Sequence, residues 1–454
     1  MLCYKKARIK FGAETPAEEE LNGLIGNVFD ELKERGFIAQ VSDEDAVRRM
    51  LGEKTVTFYV GFDSTAASLH AGSLVPIMAM MHLRRTGHRA IAVVGGGTTM
   101  VGDPSGKTEM RRMLDEGLIR SYGKSILAQL DRYLRFDGTG AIAVDNADWL
   151  LPLNYIRFLR EIGRHFSVNR MLAAEAAKLR LKKGLSFVEF NYQLLQAYDY
   201  LHLFRTFGCT LQMGGDDQWG NILAGVDLIR RVEGADAQAM TFPLLTTSAG
   251  AKMGKTAKGA VWLDAGLLSP YDFYQYWVNC DDRDVRKFLC LYTLLPLDEI
   301  RRLETLKDQE INEAKRLLAY EATKLAHGEA AANESRAAAL SLFGKRQDVP
   351  GPTLKVQSSS HVVLSDHVTS IPGIPTTAVT RARLEAGISP AELFTDVGLT
   401  PSRAEAKRLI KQGGLTVNDE RIDSLERMLT TKDLGPEGLV LKAGKKKFHR
   451  VVLE

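Results

Sequence analysis

Five short apolar, β-rich runs, at 56–62, 90–95, 141–144, 209–213 and 240–245, are separated by long helical patterns. Strands alternating with helices predict a parallel sheet, and in such sheets ligands bind beyond the carboxyl ends of the strands. Three chemistry-bearing segments, Gly61–His70, Gly95–Lys107 and Met213–Asn221, each follow one of these runs directly. That order predicts a single cleft assembled from several strand ends.

The rest of the chain reads as helices around this sheet and a separate tail. Leu21, Leu24, Val28, Leu32 and Phe37 recur near helical spacing, so residues 20–50 are expected to be an amphipathic helix. Residues 150–207 read as mostly helical with a basic stretch from Lys178 to Lys183, and residues 270–345 as all-helical. From Asp348 to about Thr380 the composition turns to Pro, Ser, Thr and Val, as in a linker. These shifts predict an extension at 1–25, a Rossmann-like α/β domain at 26–248 with a helical insertion at about 120–207, and a loop and helical domain at 249–347. A linker at 348–386 and a small α+β domain at 387–454 complete the layout. A chain of 454 residues has room for two to four such domains.

Composition excludes several classes. Hydrophobic residues make up 45% and charged residues 26%, as in ordinary globular proteins. The basic start, Met1 to Lys10, lacks the apolar stretch of a secretory signal, and no run approaches the roughly 18 apolar residues of a membrane span. Cys3, Cys209, Cys280 and Cys290 form no CxxC pair and no metal-ligand rhythm with the histidines. Reduced cysteines, a cytoplasmic location and no protein-bound metal are the expectation. A net charge of +4 is too small to establish a nucleic-acid partner by itself.

Leu69-His70-Ala71-Gly72-Ser73 stands between a strand-like run and an apolar helical pattern that begins at Leu74. Helix amides and the helix dipole attract phosphate at such a turn, and glycine admits an adenine close to the backbone. Lys252-Met253-Gly254-Lys255-Thr256, about 180 residues later, puts two ammonium groups three residues apart on a glycine-containing loop. Such groups suit the charge that builds on a departing pyrophosphate. A P-loop fails on counting. Three residues separate Gly102 from Gly106, and Gly250 from Gly254, where that loop needs four. A dinucleotide fingerprint fails too, because Gly95-Gly96-Gly97 is followed by Thr98, Thr99 and Met100.

Near the C-terminus, Ser402 and Glu405 form a capping box ahead of a short helix that ends at Gly413-Gly414. Arg403, Lys407, Arg408 and Lys411 fall within that helix. Lys442, Lys445, Lys446, Lys447 and Arg450 make a second basic cluster. Two basic clusters flanking one small fold suit the backbone of an RNA.

These residues carry a specific resemblance. Tyr59 through His70 is similar to the strand and first nucleotide signature of bacterial tyrosyl-tRNA synthetases, which are class I aminoacyl-tRNA synthetases. Gly95–Lys107, Phe190–Asp199, Leu211–Asn221 and Lys252–Thr256 resemble four further blocks of that family in the same order, and the tail resembles an S4-type RNA-binding fold. The resemblance implies tyrosine, ATP as its magnesium complex and tRNA(Tyr) as substrates, and a homodimer.

It also implies roles. Tyr59 and Asp199 would hold the tyrosine hydroxyl, which both donates and accepts. Asp103, Tyr192 and Gln196 would hold the α-ammonium, with Gln218 near the carboxylate. Gly61, Asp63, His70, Gly72, Ser73, Gly215, Asp217 and Lys255 would surround ATP. Thr65, His70, Lys107, Arg111, Lys252, Lys255 and Thr256 would face the phosphates as catalytic residues. Arg230, Arg231, Arg403, Lys407, Arg408, Lys411, Lys445 and Lys446 would contact tRNA. No general base is needed, because the substrate carboxylate is already an anion; alignment and electrostatic stabilisation would suffice.

The sequence departs from the family at several points. Ser73 stands for the second signature histidine, Ala71 for a larger apolar residue, Ser64 for proline, Asp216 for a small polar residue and Met110 for glutamate. Ser73 is the one hint toward an alternative, a synthetase-like RNA-binding or splicing cofactor that has lost activation. A third reading is another nucleotidyl transferase of the same superfamily. Asp103, Tyr192, Gln196, Asp199, Gln218 and both loop lysines favour the active synthetase.

Overall fold

A computed structural model describes residues 26–105, 113–173, 177–178, 181, 184–248, 250, 253–256, 259–343, 376–435, 438–444 and 447–454. It divides into two compact units: residues up to Leu268 with Tyr276–Ala326, and Ser269–Gln275 with His327–Glu454.

The first unit is built on a six-stranded sheet. Its strands are β1 (Gln40–Val41), β2 (Thr57–Asp63), β3 (Arg89–Gly95), β4 (Ala141–Asp145), β5 (Cys209–Gly215) and β6 (Gln238–Phe242). Their order across the sheet is β1-β6-β5-β2-β3-β4, parallel throughout except for the antiparallel edge pair β1–β6. All five β-rich runs form strands, and helices connect them. The order reverses between β2 and β5, which lie side by side with Tyr59 opposite Gln212. A crevice opens at the carboxyl ends of strands at such a reversal. The central strands are apolar along nearly their whole length because both faces are buried.

The expected helix over 20–50 is instead two helices, Val28–Arg35 and Glu44–Glu53, with β1 between them; residues 20–25 lie outside the described residues. Gly36 ends the first helix in the left-handed region (φ 84°), where a side chain would be strained, and Asp43 caps the second through the amide of Ala46. Helices predominate among the described residues of 120–207, and the helix Phe187–Phe207 starts from a capping box of Ser186 and Glu189. That stretch also contains β4, an edge strand of the main sheet.

The second unit holds the helix Glu329–Phe343 and a five-stranded sheet. β7 (Lys255–Thr256) and β8 (Gly259–Ala260) form a separate small hairpin in the first unit. The five strands are β9 (Thr376–Val379), β10 (Leu415–Val417), β11 (Glu420–Arg421), β12 (Leu439–Ala443) and β13 (Lys447–Leu453), ordered β11-β10-β12-β13-β9. β9 lies within the expected linker 348–386. Its run of Thr-Thr-Ala-Val takes the free edge of β13 in parallel register, so residues 376–386 are part of the folded module. Residues 348–375 lie outside the described residues. Leu384, Phe394, Ile410, Leu415, Leu439 and Leu441 form this module's own core.

Candidate active site

A cavity of about 590 Å³ opens at the carboxyl ends of β2 and β5. Its lining brings together Tyr59, Gly61, Asp63, Thr65, His70, Gly72 and Ser73 from the first expected block with Asp103 from the second. Tyr192, Gln196 and Asp199 enter from the helix Phe187–Phe207, and Gly215, Asp217 and Gln218 follow β5. Lys107, Arg111 and Lys252 lie outside the described residues, and of Lys255 and Thr256 only the backbone, in β7, is described.

The deep end is a phenol facing a carboxylate. The Tyr59 hydroxyl is buried and has no hydrogen-bond partner among the described residues. Asp199, 4% exposed, accepts from Asn146 Nδ2 at 2.9 Å and Trp149 Nε1 at 2.7 Å. Burial pushes the Asp199 carboxyl up to about 7; the Asn146 and Trp149 bonds oppose that rise, and the nearby charges of Asp63 and Asp145 add to it. Burial, and then the Asp199 charge, push the Tyr59 phenol well above its ordinary range. Asn146 also accepts from the Gly97 amide at 2.8 Å and donates to Thr98 Oγ1 at 3.0 Å, and Thr98 donates to Asp63 at 3.0 Å. One side chain thus ties the strand ends of β2, β3 and β4 to the helix bearing Asp199.

Closer to the mouth, Asp103 accepts from Gln218 Nε2 at 2.6 Å and from the Ser105 amide at 2.9 Å. Tyr192 donates to Asp63 at 3.3 Å, and the Gln196 amide oxygen is buried without a partner. Asn221 links Gln218 to Ser105 at 3.1 and 3.2 Å. This region offers several acceptors to a cation of ammonium size.

The two nucleotide signatures meet. The Ala71 amide donates to Val261 O at 2.8 Å and the Leu263 amide to Leu69 O at 2.9 Å, so the segment after the lysine loop pairs with the His70 turn. Gly254 packs onto Gly72 so closely that a Cβ there would lie 2.6 Å from the Gly72 nitrogen; its φ of 78° also disfavours any side chain. His70 Nδ1 accepts from the Gly72 amide at 3.0 Å, which leaves Nε2 to carry the proton of the neutral ring.

Residues 51–344 match the model of the class I tRNA synthetases (W and Y), and residues 369–451 match the tyrosine–tRNA ligase SYY-like C-terminal domain. The tyrosine–tRNA ligase of Desulfatibacillum aliphaticivorans is 52% identical over 429 residues, covering 94% of this chain and 99% of the relative. The chain belongs to the tyrosine–tRNA ligase family. The Syntrophus aciditrophicus ligase is 52% identical over 432 residues, or 95% of this chain and all of the relative. Among solved structures, the C-terminally truncated Aspergillus nidulans mitochondrial tyrosyl-tRNA synthetase superposes with a TM-score of 0.65 at 30% identity. It covers 72% of this chain and 97% of that one. The class I synthetase fold follows, with an S4-like C-terminal module.

Family membership gives the departures a physical reading. Ser64, where the resemblance implied a proline, donates its amide to Thr99 Oγ1 at 2.9 Å, a bond proline cannot make. Asp216 accepts from Gln40 at 2.7 Å and Thr241 at 2.9 Å, joining the β1–β6 edge. Ser73 lines the cavity but makes no capping bond to its helix, and Ala71 is fully buried. Met110 lies outside the described residues.

The expected RNA contacts fall elsewhere. Arg230 and Arg231 are in the last turn of the helix Trp219–Glu233, outside the main cavity. Arg230 pairs with Asp227 at 2.7 Å and Arg231 donates to His165 O at 3.0 Å. Arg403, Lys407, Arg408 and Lys411 are exposed on the helix Arg403–Lys411, with Arg408 paired to Glu405 at 2.7 Å and Arg403 to Glu392 at 3.5 Å. Lys445 and Lys446 lie outside the described residues. Thr98, Ser105, Gln212 and Asn221 fall within the expected blocks without having been given roles, whereas Asn146 and Trp149, which bond to Asp199, lie outside every block. Asn146 comes just after the strand formed by the run at 141–144 and Trp149 lies in the short helix Ala147–Leu150 that follows, and that position was the available signal.

Proposed function

We propose that this chain attaches L-tyrosine to tRNA(Tyr) in two steps. In the first, a tyrosine carboxylate oxygen bonds to the α-phosphorus of ATP while the bond to the bridging oxygen of the β-phosphate breaks, giving tyrosyl-adenylate and pyrophosphate. In the second, the 3′-terminal adenosine of the tRNA takes the tyrosyl group and AMP departs. The observation that carries this reading is the buried, unpartnered Tyr59 hydroxyl at the deep end of the cleft that holds Asp199. A substrate phenol supplies the missing partner, whereas phenylalanine leaves the Tyr59 hydroxyl stranded. Tyrosyl-tRNA synthetases are themselves the known example of such rejection, which reaches about 10⁵-fold without editing.

Asp103, Tyr192 and Gln196 would receive the ammonium, and Gln218 acts by holding Asp103 as well as lying near the carboxylate. Gly61, Asp63, His70, Gly72, Ser73, Gly215 and Asp217 would frame ATP, with magnesium arriving as part of the nucleotide complex. Thr65, Lys107, Arg111, Lys252, Lys255 and Thr256 would stabilise the phosphates as charge moves to pyrophosphate. The exposed basic helix of the C-terminal module and Arg230 and Arg231 would bind tRNA. Exposed apolar side chains at Leu151, Tyr155, Ile156, Phe187 and Val188 support a homodimer. No helix among the described residues is long and apolar enough to cross a membrane. Tyrosine-dependent exchange of labelled pyrophosphate into ATP tests the reading. Its absence in purified protein would refute it.

A further inference from the structure

Trp149 holds the carboxylate at the deep end of the cleft, and its own ring is held by a histidine from outside the cleft. It sits in the four-residue helix Ala147–Leu150 and donates from Nε1 to Asp199 at 2.7 Å. The face of that indole lies on the imidazole of His202, with ring centroids 4.5 Å apart and planes within 15° of parallel. Asp199 and His202 are three positions apart on the helix Phe187–Phe207, so they share one face of it. Both meet the same indole, one at its edge and the other across its plane. His202 is backed by Tyr198, one turn earlier, at 6.4 Å, and Tyr198 packs edge to face with Phe158 at 5.5 Å. Neither Trp149 nor His202 is among the described residues that line the cavity.

The hydrogen bond sets the distance from the indole edge to the carboxylate but leaves the ring able to swing about that bond. A helix of four residues does little by itself to stop the motion. The parallel stack supplies the missing constraint, because an imidazole laid along the indole fixes its plane. Burial, and then the charge of Arg205, keep His202 below its ordinary range, so the ring is neutral near pH 7 and stacks without charge. We infer that His202 is a positioning residue for tyrosine selection: it holds the Trp149 ring so that Nε1 meets Asp199 and the carboxylate keeps the orientation that receives a phenol. This inference rests on the tyrosine-activating reading proposed above. Small displacements of a recognition group are costly, even when caused from a distance.

The test uses the full-length protein and compares tyrosine with phenylalanine in ATP–pyrophosphate exchange. His202→Leu keeps an apolar side chain of similar size but has no ring face. It should raise KM for tyrosine about three- to tenfold, the strength of one aromatic pair. The value of kcat should stay within about twofold, because the phenol is held equally in the ground and transition states. Phenylalanine has no hydroxyl to place, so its exchange should change by less than about twofold and selectivity should fall by the tyrosine factor. His202→Phe restores a flat face and should keep selectivity near that of the wild type. The decisive arm is the Trp149→Phe background, where the N–H is gone and adding His202→Leu should cost less than about twofold. Unchanged selectivity in His202→Leu, an equal loss with both amino acids, a His202→Phe protein no better than His202→Leu, or an undiminished loss in the Trp149→Phe background would overturn the inference. Wild-type protein without tyrosine-dependent exchange would instead refute the functional reading itself.

Discussion

Asn146 donates its amide to Asp199 at 2.9 Å inside the protein, while its own oxygen caps the helix that begins at Gly96. The orientation of the Asp199 carboxylate is thereby tied to the sheet rather than to the helix that carries it. Asn146→Ala should weaken tyrosine binding by about 1.5–3 kcal/mol, the cost of a lost bond to a buried charge. Discrimination against phenylalanine should fall with it. Equilibrium binding of both amino acids measures this, and unaltered selectivity would remove Asn146 from the pocket's support.

Tyr59→Phe separates binding from stability. The Tyr59 hydroxyl makes no hydrogen bond among the described residues, so its removal should leave thermal stability unchanged or slightly raised. Tyrosine affinity should drop by about 0.5–1.5 kcal/mol through the lost substrate bond. Asp199→Ala should do more damage, since an ionised acceptor is removed. A Tyr59→Phe protein that melts several degrees lower would show that the hydroxyl has a structural partner.

The Asp199 titration gives a pH dependence with a definite sign. Its carboxyl rises from 3.8 to about 7 on folding, chiefly through burial. Between those values the folded protein holds a proton that the unfolded chain has released, so this group's contribution to stability is full below about pH 4 and is lost as pH rises to about 7. The stability of Asp199→Asn relative to wild type should therefore increase across that window. Tyrosine affinity should run the other way, strengthening toward pH 7 and above as the carboxylate becomes able to accept the phenol proton. Denaturant titrations and binding at pH 5 and pH 8 check both signs.

How much of this was legible in the sequence depends on how each residue is presented. Tyr59, His70, Asp103 and Gln218 sit on or just after strand-forming runs, so local pattern placed them in one cleft. Asp199 was legible as a site residue through its block, yet its partners were not: Asn146 and Trp149 come from the end of a strand about fifty residues away and belong to no motif. The break at Gly36 was hidden because Phe37 continues the helical spacing while packing in the core from outside the helix. β9 was hidden for a different reason. Four residues of Thr, Ala and Val become a strand only because β13 offers an edge.

Arg35 illustrates a load that composition does not reveal. Buried at 4% exposure, it donates to Glu31 at 2.8 Å and to the carbonyl of Leu295 at 2.7 Å, fastening the first helix to the chain near residue 295. The His82 bond, with help from Arg35, holds the Glu31 carboxyl down at about 2 despite its partial burial. Arg35→Met should destabilise the first unit by about 3 kcal/mol, because Glu31 and the carbonyls are left without their donor. Urea titration measures this. A loss below about 0.5 kcal/mol would place the interaction among ordinary surface pairs.

Removal of residues 376–454 should leave tyrosine activation intact and abolish most tRNA charging, because the cleft lies wholly in the first unit. It should also expose Tyr271 and Ala338, which pack against Phe448 in the second unit, so the truncated protein should be less soluble. Changing Arg403, Lys407, Arg408 and Lys411 to alanine in the full chain should keep solubility, weaken tRNA binding and flatten its salt dependence. Full charging by the truncated protein at physiological salt would contradict the assignment of the tail.

The most direct test of the account is ATP–pyrophosphate exchange driven by tyrosine and, in parallel, by phenylalanine. The wild-type protein should exchange with tyrosine and discriminate against phenylalanine by several orders of magnitude, roughly the 10⁵-fold known for this enzyme class. Asp199→Ala should collapse that ratio. No exchange with tyrosine, or equal exchange with both amino acids, would contradict the claim that the buried phenol–carboxylate end of the cleft selects the substrate.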